Sequence, residues 1–408
     1  MALPEEISWF RGPASNDWND VLIDAQQQVW LAGFADGIVG TTTLEPTGNS
    51  RAVVLQLAPD GRVLWDSGST FDTAGTDVAQ ALAIGTQGMV VVGRTTGVFA
   101  GSENGGQFDT FVGLSDNGAN ASITAPWRFF QTGGETPQHP LRVALADDGD
   151  IVIAGQDDIY IPTNFVAAWP DPFVLRLARV GAGGANSPLH VRWQHQYGSA
   201  GSELAHGLAV ATGVGEAGRA VYLSYSVGSG AQRGMHVRKL GPDGQVLWNQ
   251  RYSNQPLHDI SALLPQADGT LLMAGTVVGS FRGGIAQGQQ DVFLARIASD
   301  DGRVLESWQY GTAESEVLVD MAQDAQGRIT LFGETLGAWV PGQPAAGETD
   351  LFMLRLSPDG RQQAVRQWGT SDDEAARRVA LDACGNAVAV AGSTGSGQRA
   401  GVVWFWRR

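Results

Sequence analysis

The sequence predicts an all-β fold: a seven-bladed β-propeller of four-stranded antiparallel blades, its ring closed by an N-terminal strand that completes the last blade. Three observations predict it. The 408 residues include 55 Gly and 13 Trp, with only 17% charged residues, a composition suited to short strands and tight turns. Seven tryptophans, Trp9, Trp65, Trp127, Trp193, Trp248, Trp308 and Trp368, recur in one context at spacings of 55 to 66 residues. Between them, apolar runs of four to seven residues are separated by turn signals, with no convincing helical period.

Each unit repeats one order of elements. A polar loop follows the Trp, and a first apolar stretch ends in a turn such as ALADDG (144–149) or LPQADG (264–269). A second run closes on glycine, as in VWLAG (29–33), MVVVG (89–93), IVIAG (151–155) and ITLFG (329–333). A long Gly-rich loop then leads to a third run, such as DTFVGL (109–114), DVFLARI (291–297) or DLFMLRL (350–356). A second turn, clearest as PDG at 59–61, 242–244 and 358–360, precedes the Trp-bearing fourth run. Hairpins between β-branched and aromatic runs have this pattern. The implied units are 10–65, 66–127, 128–193, 194–248, 249–308, 309–368, and 369–406 joined by 6–12, within a single domain spanning 1–408. The last unit supplies only three strands, and EISWFRG (6–12) matches the fourth-strand pattern of ESWQYGT (306–312). Joining the ends in one blade removes exposed sheet edges, whereas a linear solenoid would need capping units.

The unit resembles the bacterial SBBP-type β-propeller repeat. The resemblance is carried by Asp109 with Phe111, Asp291 with Phe293, Asp350 with Phe352, and the Trp193–Tyr197–Gly198 element. It extends over residues 6 to 406 and implies the propeller fold and a secreted or surface-associated scaffold. Three units depart at the Asp position, with Ser50-Arg51, Arg233-Gly234 and Arg399-Ala400 there. The fourth unit ends its second strand in YLSYS (222–226), without Ala-Gly.

Charge and cysteine usage exclude some classes. A net charge of −16 opposes nucleic-acid or anionic-membrane partners, which need a basic footprint. No apolar run approaches the length of a membrane helix. The single cysteine, Cys384, rules out an internal disulfide. The stretch MALPEEISWF has no basic segment followed by an apolar run, so it does not read as a secretory signal.

The long loops between fourth and first strands, and between second and third, must project from one side. The tight -DG- turns on the opposite side read as structural. On the long-loop side an acidic set, Asp17, Asp77, Glu203, Asp259, Glu316 and Glu374, with His139 in the third unit, stands near the start of each first strand. Carboxylates so gathered would suit calcium, although each could equally cap its own loop. Trp18, Tyr160, Phe165, Trp169 and Trp339 are the loop aromatics that could stack on a ligand, and Trp339 matches Phe99 and Phe281 in other units. His139, Asp77 and Asp259 are candidates for acid–base chemistry, and His206 and His258 fall near long-loop strand entries.

These features suggest a non-enzymatic, extracellular or cell-surface binding or scaffold propeller. It is expected to be a monomeric ring, to need no cofactor (calcium being the alternative), and to take a glycan or protein on its long-loop side. The alternative is a lyase or hydrolase acting on a polysaccharide or ester at the channel mouth.

Overall fold

The structure, a computed structural model, describes residues 5–7, 16–36, 38–39, 42–43, 49–115, 127–134, 136–157, 170–180, 188–198, 202–211, 219–255, 259–340, 346–393 and 400–406. These form antiparallel four-stranded blades of the β-propeller type. Contacts divide the chain into two compact units, Met1–Pro46, Val54–Asp66 and Leu257–Arg408 in the first, and Thr47–Val53 with Ser67–Pro256 in the second. The boundary falls inside a strand.

In chain order, β1 (Glu5–Ile7) is followed by the first sheet, β2 (Asn16–Ile23), β3 (Val29–Ala35), β6 (Arg51–Leu57) and β7 (Val63–Asp66), with β4 (Ile38–Val39) and β5 (Thr42–Thr43) inserted after β3. Unit 2 then builds three sheets. They are β8 (Asp77–Gly85), β9 (Gly88–Thr95), β10 (Asp109–Ser115) and β11 (Arg128–Thr132); β12 (Gln138–Leu145), β13 (Ile151–Asp157), β14 (Asp171–Arg179) and β15 (Leu189–Gln196); and β16 (Glu203–Val210), β17 (Val221–Val227), β18 (Gly234–Leu240) and β19 (Val246–Arg251). Unit 1 resumes with β20 (Asp259–Pro265), β21 (Thr270–Val277), β22 (Asp291–Ala298) and β23 (Val304–Tyr310), then β24 (Glu316–Gln323), β25 (Ile329–Thr335), β26 (Asp350–Leu356) and β27 (Gln362–Trp368). Its last sheet is β28 (Glu374–Leu381), β29 (Ala387–Ser393) and β30 (Ala400–Trp406), completed by β1.

The expectation of one uniform seven-bladed ring is therefore corrected. The described residues form two compact units, and a separate two-stranded sheet, β4–β5, stands where a plain loop was expected. Ile38, Val39, Thr42 and Thr43 are all β-branched, which favours extended backbone over a loop. A repeat count reads likeness between segments and carries no information on how their packing divides.

Burial follows strand order. Second and third strands such as β25 and β26 are buried at nearly every position, and their sequences are correspondingly continuous apolar runs. Fourth strands such as β19 are mostly exposed and carry Asn, Gln and Arg, as sheet edges do. Within unit 2, β8 packs on β12 and β12 on β16; within unit 1, β20 packs on β24, β24 on β28, and β28 on β2. The core lies between these sheets. Leu294 and Leu354 share one cluster in unit 1 and are fully buried, each contributing about 1.5–3 kcal/mol by removal from water.

Two sequence signals gain a physical cause. The -DG- turns place Gly61, Gly244 and Gly360 at φ of 83°, 79° and 77°, where only glycine is unstrained. Every first strand carries a bulge, and in five of the seven sheets a second-strand glycine (Gly33, Gly93, Gly155, Gly275 or Gly333) lies against it, with Tyr225 and Ala391 in the other two. A Cβ on Gly333 would stand 2.0 Å from the Val317 carbonyl oxygen, and one on Gly93 2.2 Å from that of Val78.

The repeat tryptophans fall at several levels of the fourth strand. Trp65, Trp193 and Trp248 pair with Gln56, Arg176 and Lys239, at one level. Trp308 pairs with Leu294 and Trp368 with Leu351, two and four residues further along. Steps of two keep these rings on one strand face, which is why unequal spacings still serve one packing role. Trp9 lies outside the described residues.

Candidate functional site

The first-strand carboxylates separate into two sets by register. Asp77, Glu203, Glu316 and Glu374 pair with Thr95, Val227, Thr335 and Ser393, the residue two beyond the usual second-strand glycine position. Asp17, His139 and Asp259 pair with Phe34, Gln156 and Thr276, only one beyond it. Their side chains therefore point to the other face of the strand. The single seven-fold acidic level expected from the sequence is corrected accordingly. In the third unit the matching residue is Gln138, paired with Asp157.

Three of the first set serve their own loops. Glu316 accepts the Thr312 N–H at 2.7 Å and the hydroxyls of Thr312 and Thr335 at 2.6 and 2.9 Å. Glu374 accepts the N–H and hydroxyl of Thr370, and Asp77 those of Thr73. Burial pushes the carboxyl pKa of Asp77, Glu316 and Glu374 upward, against the pull of these hydrogen bonds. Asp259 accepts from Ser261 Oγ and the Thr276 N–H, and Asp17 from the Trp18 N–H and the Arg377 guanidinium at 2.9 Å. Among the described residues no three His, Cys, Asp or Glu side chains gather as a metal site.

The Asp before the third strand anchors a second repeated device. Asp350 accepts the Ala346 N–H and the Gln367 side-chain amide, while Gln367 accepts the Trp339 N–H at 2.8 Å and donates to the Gly337 carbonyl at 2.9 Å. Asp291, Gln309 and Phe281 repeat this arrangement, as do Asp109, Gln131 and Phe99. The glycine-flanked loop aromatic is thus held from below by an Asp–Gln pair.

This places the aromatic candidates. Trp339 is half-buried, 5.3 Å from Phe352, in the position where Phe281 stacks on Phe293 at 4.2 Å and Phe99 on Phe129 at 4.3 Å. Trp18, expected to face a ligand, is 3% exposed in β2 and covers Gly33 and Gly401. The out-of-register position seen in the sequence is a core position because Asp17 and Trp18 precede the β2 bulge. Tyr160, Phe165, Trp169 and His258 lie outside the described residues.

One group on the long-loop side of unit 2 combines donors with an aromatic ring. Arg94 follows Gly93 near the end of β9, Phe108 ends the loop into β10, and His139 is the second residue of β12 in the next sheet. All three are half-buried. The Arg94 guanidinium lies 4.8 Å over the Phe108 ring, and Phe108 and His139 are 5.9 Å apart. Arg94 Nη1 hydrogen-bonds His139 Nδ1. A guanidinium can only donate, so Nδ1 accepts and the one proton of the neutral ring sits on Nε2. In the next sheet His206 Nε2 and Ser226 Oγ are 2.8 Å apart.

Arg94 and Phe108 were missed in the sequence. The signal was present: the residue after the second-strand glycine varies as Phe34, Arg94, Gln156, Thr276 and Glu334, while its neighbours repeat. Variation at a fixed place in a repeat marks a position released from packing.

No family model matches the chain, and no curated protein matches it. Membership of the SBBP-type repeat family is therefore not shown, although the fold it implied is present. Among solved structures, the chain is similar to an ulvan lyase bound to a GlcA(1-4)Rha3S fragment, at 10% identity and TM-score 0.52, covering 98% of this chain and 96% of that one. It is also similar to a catalytically inactive variant of virginiamycin B lyase from Staphylococcus aureus with quinupristin, at 10% identity and TM-score 0.51, covering 98% and 99%. These likenesses concern the fold. Among the described residues, no helix is long and apolar enough to cross a membrane.

Proposed function

We propose that the protein is a non-enzymatic binding propeller, acting outside the cytoplasm, that holds an acidic glycan on its long-loop side through Arg94, Phe108 and His139. The Arg94–His139 hydrogen bond supports this reading most directly. With Nδ1 occupied and Nε2 protonated, neutral His139 offers a donor and no basic lone pair, so the group presents N–H donors beside an aromatic face. Sugar carboxylates and hydroxyls accept from such donors, and Phe108 supplies the apolar contact. The same hydrogen bond argues against the alternative, a lyase or hydrolase with His139 as base, because a general base needs a free lone pair. Asp77 is fully buried and serves Thr73, which removes it from acid–base work.

Calorimetric titration with uronate-containing oligosaccharides tests this. Arg94→Ala and His139→Ala should each weaken binding about tenfold, the loss expected for a hydrogen bond to a charged group. Polysaccharide or ester turnover that disappears in His139→Ala would sink the binding reading in favour of the enzyme.

A further inference from the structure

The tight-turn side of unit 2, which the sequence reads as structural, carries a cleft of about 350 Å³. It is lined by His190, Val191, Arg192 and Trp193 of β15 and by Pro242 and Asp243 of the β18–β19 turn. In the β12–β15 sheet it lies at the opposite strand end from His139: Trp193 pairs with Arg176, whereas His139 pairs with Gln156, which is level with Pro172.

The walls of this cleft are held in place. Trp193 Nε1 donates to the Pro242 carbonyl at 2.8 Å, fixing the indole against the turn. Arg192 Nε lies 2.6 Å from Asp150, and Asp150 is itself held at 2.8 Å by Arg176, which is 1% exposed. Arg176 also binds Asp148 at 2.9 Å. The buried Arg176–Asp150 pair thus orients a guanidinium that remains half in solvent. Asp243 contributes a carboxylate to the same cleft, so the lining offers N–H donors and a carboxylate acceptor beside an indole.

We infer that this cleft is a binding subsite for a neutral pyranose. A sugar ring presents apolar C–H faces to an indole, and its vicinal hydroxyls both donate and accept, matching Asp243 and Arg192 together. A free anion would meet Asp243 as a repulsive neighbour, and a free cation would meet Arg192. The volume lies at the small end of ligand clefts, roughly 300–1,000 Å³, and accommodates a mono- or disaccharide. None of its lining residues belongs to the Arg94 group, so the two sites stand or fall separately.

Saturation-transfer NMR and calorimetry with cellotetraose, mannotetraose and xylotetraose test the assignment on the full chain. At least one probe should bind, and Arg192→Ala and Asp243→Ala should each weaken it about fivefold, one hydrogen bond's worth, with Arg361→Ala, at a side chain 84% exposed in the β26–β27 turn, unchanged. Unaltered thermal melts of both variants establish that the fold is intact. The subsite is overturned if none of the three probes receives saturation, if both variants bind as the wild type does, or if Arg94→Ala alone abolishes binding.

Discussion

Sheets β24–β27 and β16–β19 solve one packing problem in two ways. In the former, Gly333 lets β25 approach the bulge of β24, and Phe352 of β26 covers the glycine. In the latter, the matching residue is Tyr225, and the glycine stands on the other strand as Gly207, whose N–H donates to Ser224 Oγ at 2.7 Å. His236 takes the place of Phe352 and stacks on Tyr225 at 5.0 Å and 16°. Gly234 and Arg251 take the places of Asp350 and Gln367. Arg238 fills the seam, 3.9 Å over Tyr197 and 5.1 Å over Tyr225. What the fold requires is a close approach at the bulge and a tether for the loop, and neither requires a fixed residue.

The largest effect that would break this comparison is expected from Gly333→Ala. Its Cβ would meet backbone at 2.0 Å, which side-chain motion cannot relieve. Chemical denaturation should show a loss of at least about 4 kcal/mol or no folded protein, in the tail of single-substitution effects. A loss under about 1 kcal/mol would mean that the bulge does not demand the glycine.

Next in size is the Asp–Gln tether. Gln367→Leu leaves the buried Asp350 carboxylate short of a donor and the Trp339 N–H without its acceptor, an expected cost of about 2–3 kcal/mol. Arg251→Leu at the matching place removes an exposed contact to the Ala231 carbonyl and should cost under about 1 kcal/mol. Equal losses at the two positions in urea denaturation would show that the tethers are equivalent after all.

The smallest effect is in pH dependence. Burial raises the Glu316 and Glu374 pKa above the usual carboxylate range, so their ionised forms cost stability at neutral pH. That cost disappears as pH falls through the raised folded values toward the unfolded ones, so stability should rise as pH is lowered from 7 toward about 5. Carboxyls whose pKa is lowered, such as Asp268, work in the opposite sense and only below about pH 4. Glu316→Gln with Glu374→Gln should flatten the rise in thermal midpoint. A slope unchanged by the double substitution would trace it to relief of net negative charge instead.

Much of the fold was legible because it rests on short-range chemistry. The DG turns, the buried second and third runs and the closing strand at β1 each have a local signature. The site was less legible. Whether Asp17 or Asp77 points into its loop depends on one residue of register, and neither spacing nor residue type reveals it. Gln131, Gln309 and Gln367 sit beside the conspicuous repeat aromatics, and only their contacts show that they tether the loops. Arg94 and His139 are 45 residues apart in sequence, in different sheets, and come together only through strand packing. The turn-side cleft arises because Arg192 and Trp193 meet the turn of the next sheet, which no single repeat encodes.

The pairing of β1 with β30, Glu5 opposite Phe405 and Ile7 opposite Val403, bears on how the protein is made. A ribosome delivers β1 some 400 residues ahead of its partner. Throughout elongation this sheet lacks a strand, while sheets such as β8–β11 can close as soon as they emerge. Its hydrogen-bond ladder can form only after some 400 residues of chain have been paid out, the most non-local strand pairing among the described residues and the one expected to form latest. Until then the β30 edge is a template for any other extended segment, including β1 of a neighbouring nascent chain, so crowded polysomes are where exchange of this strand between copies would begin.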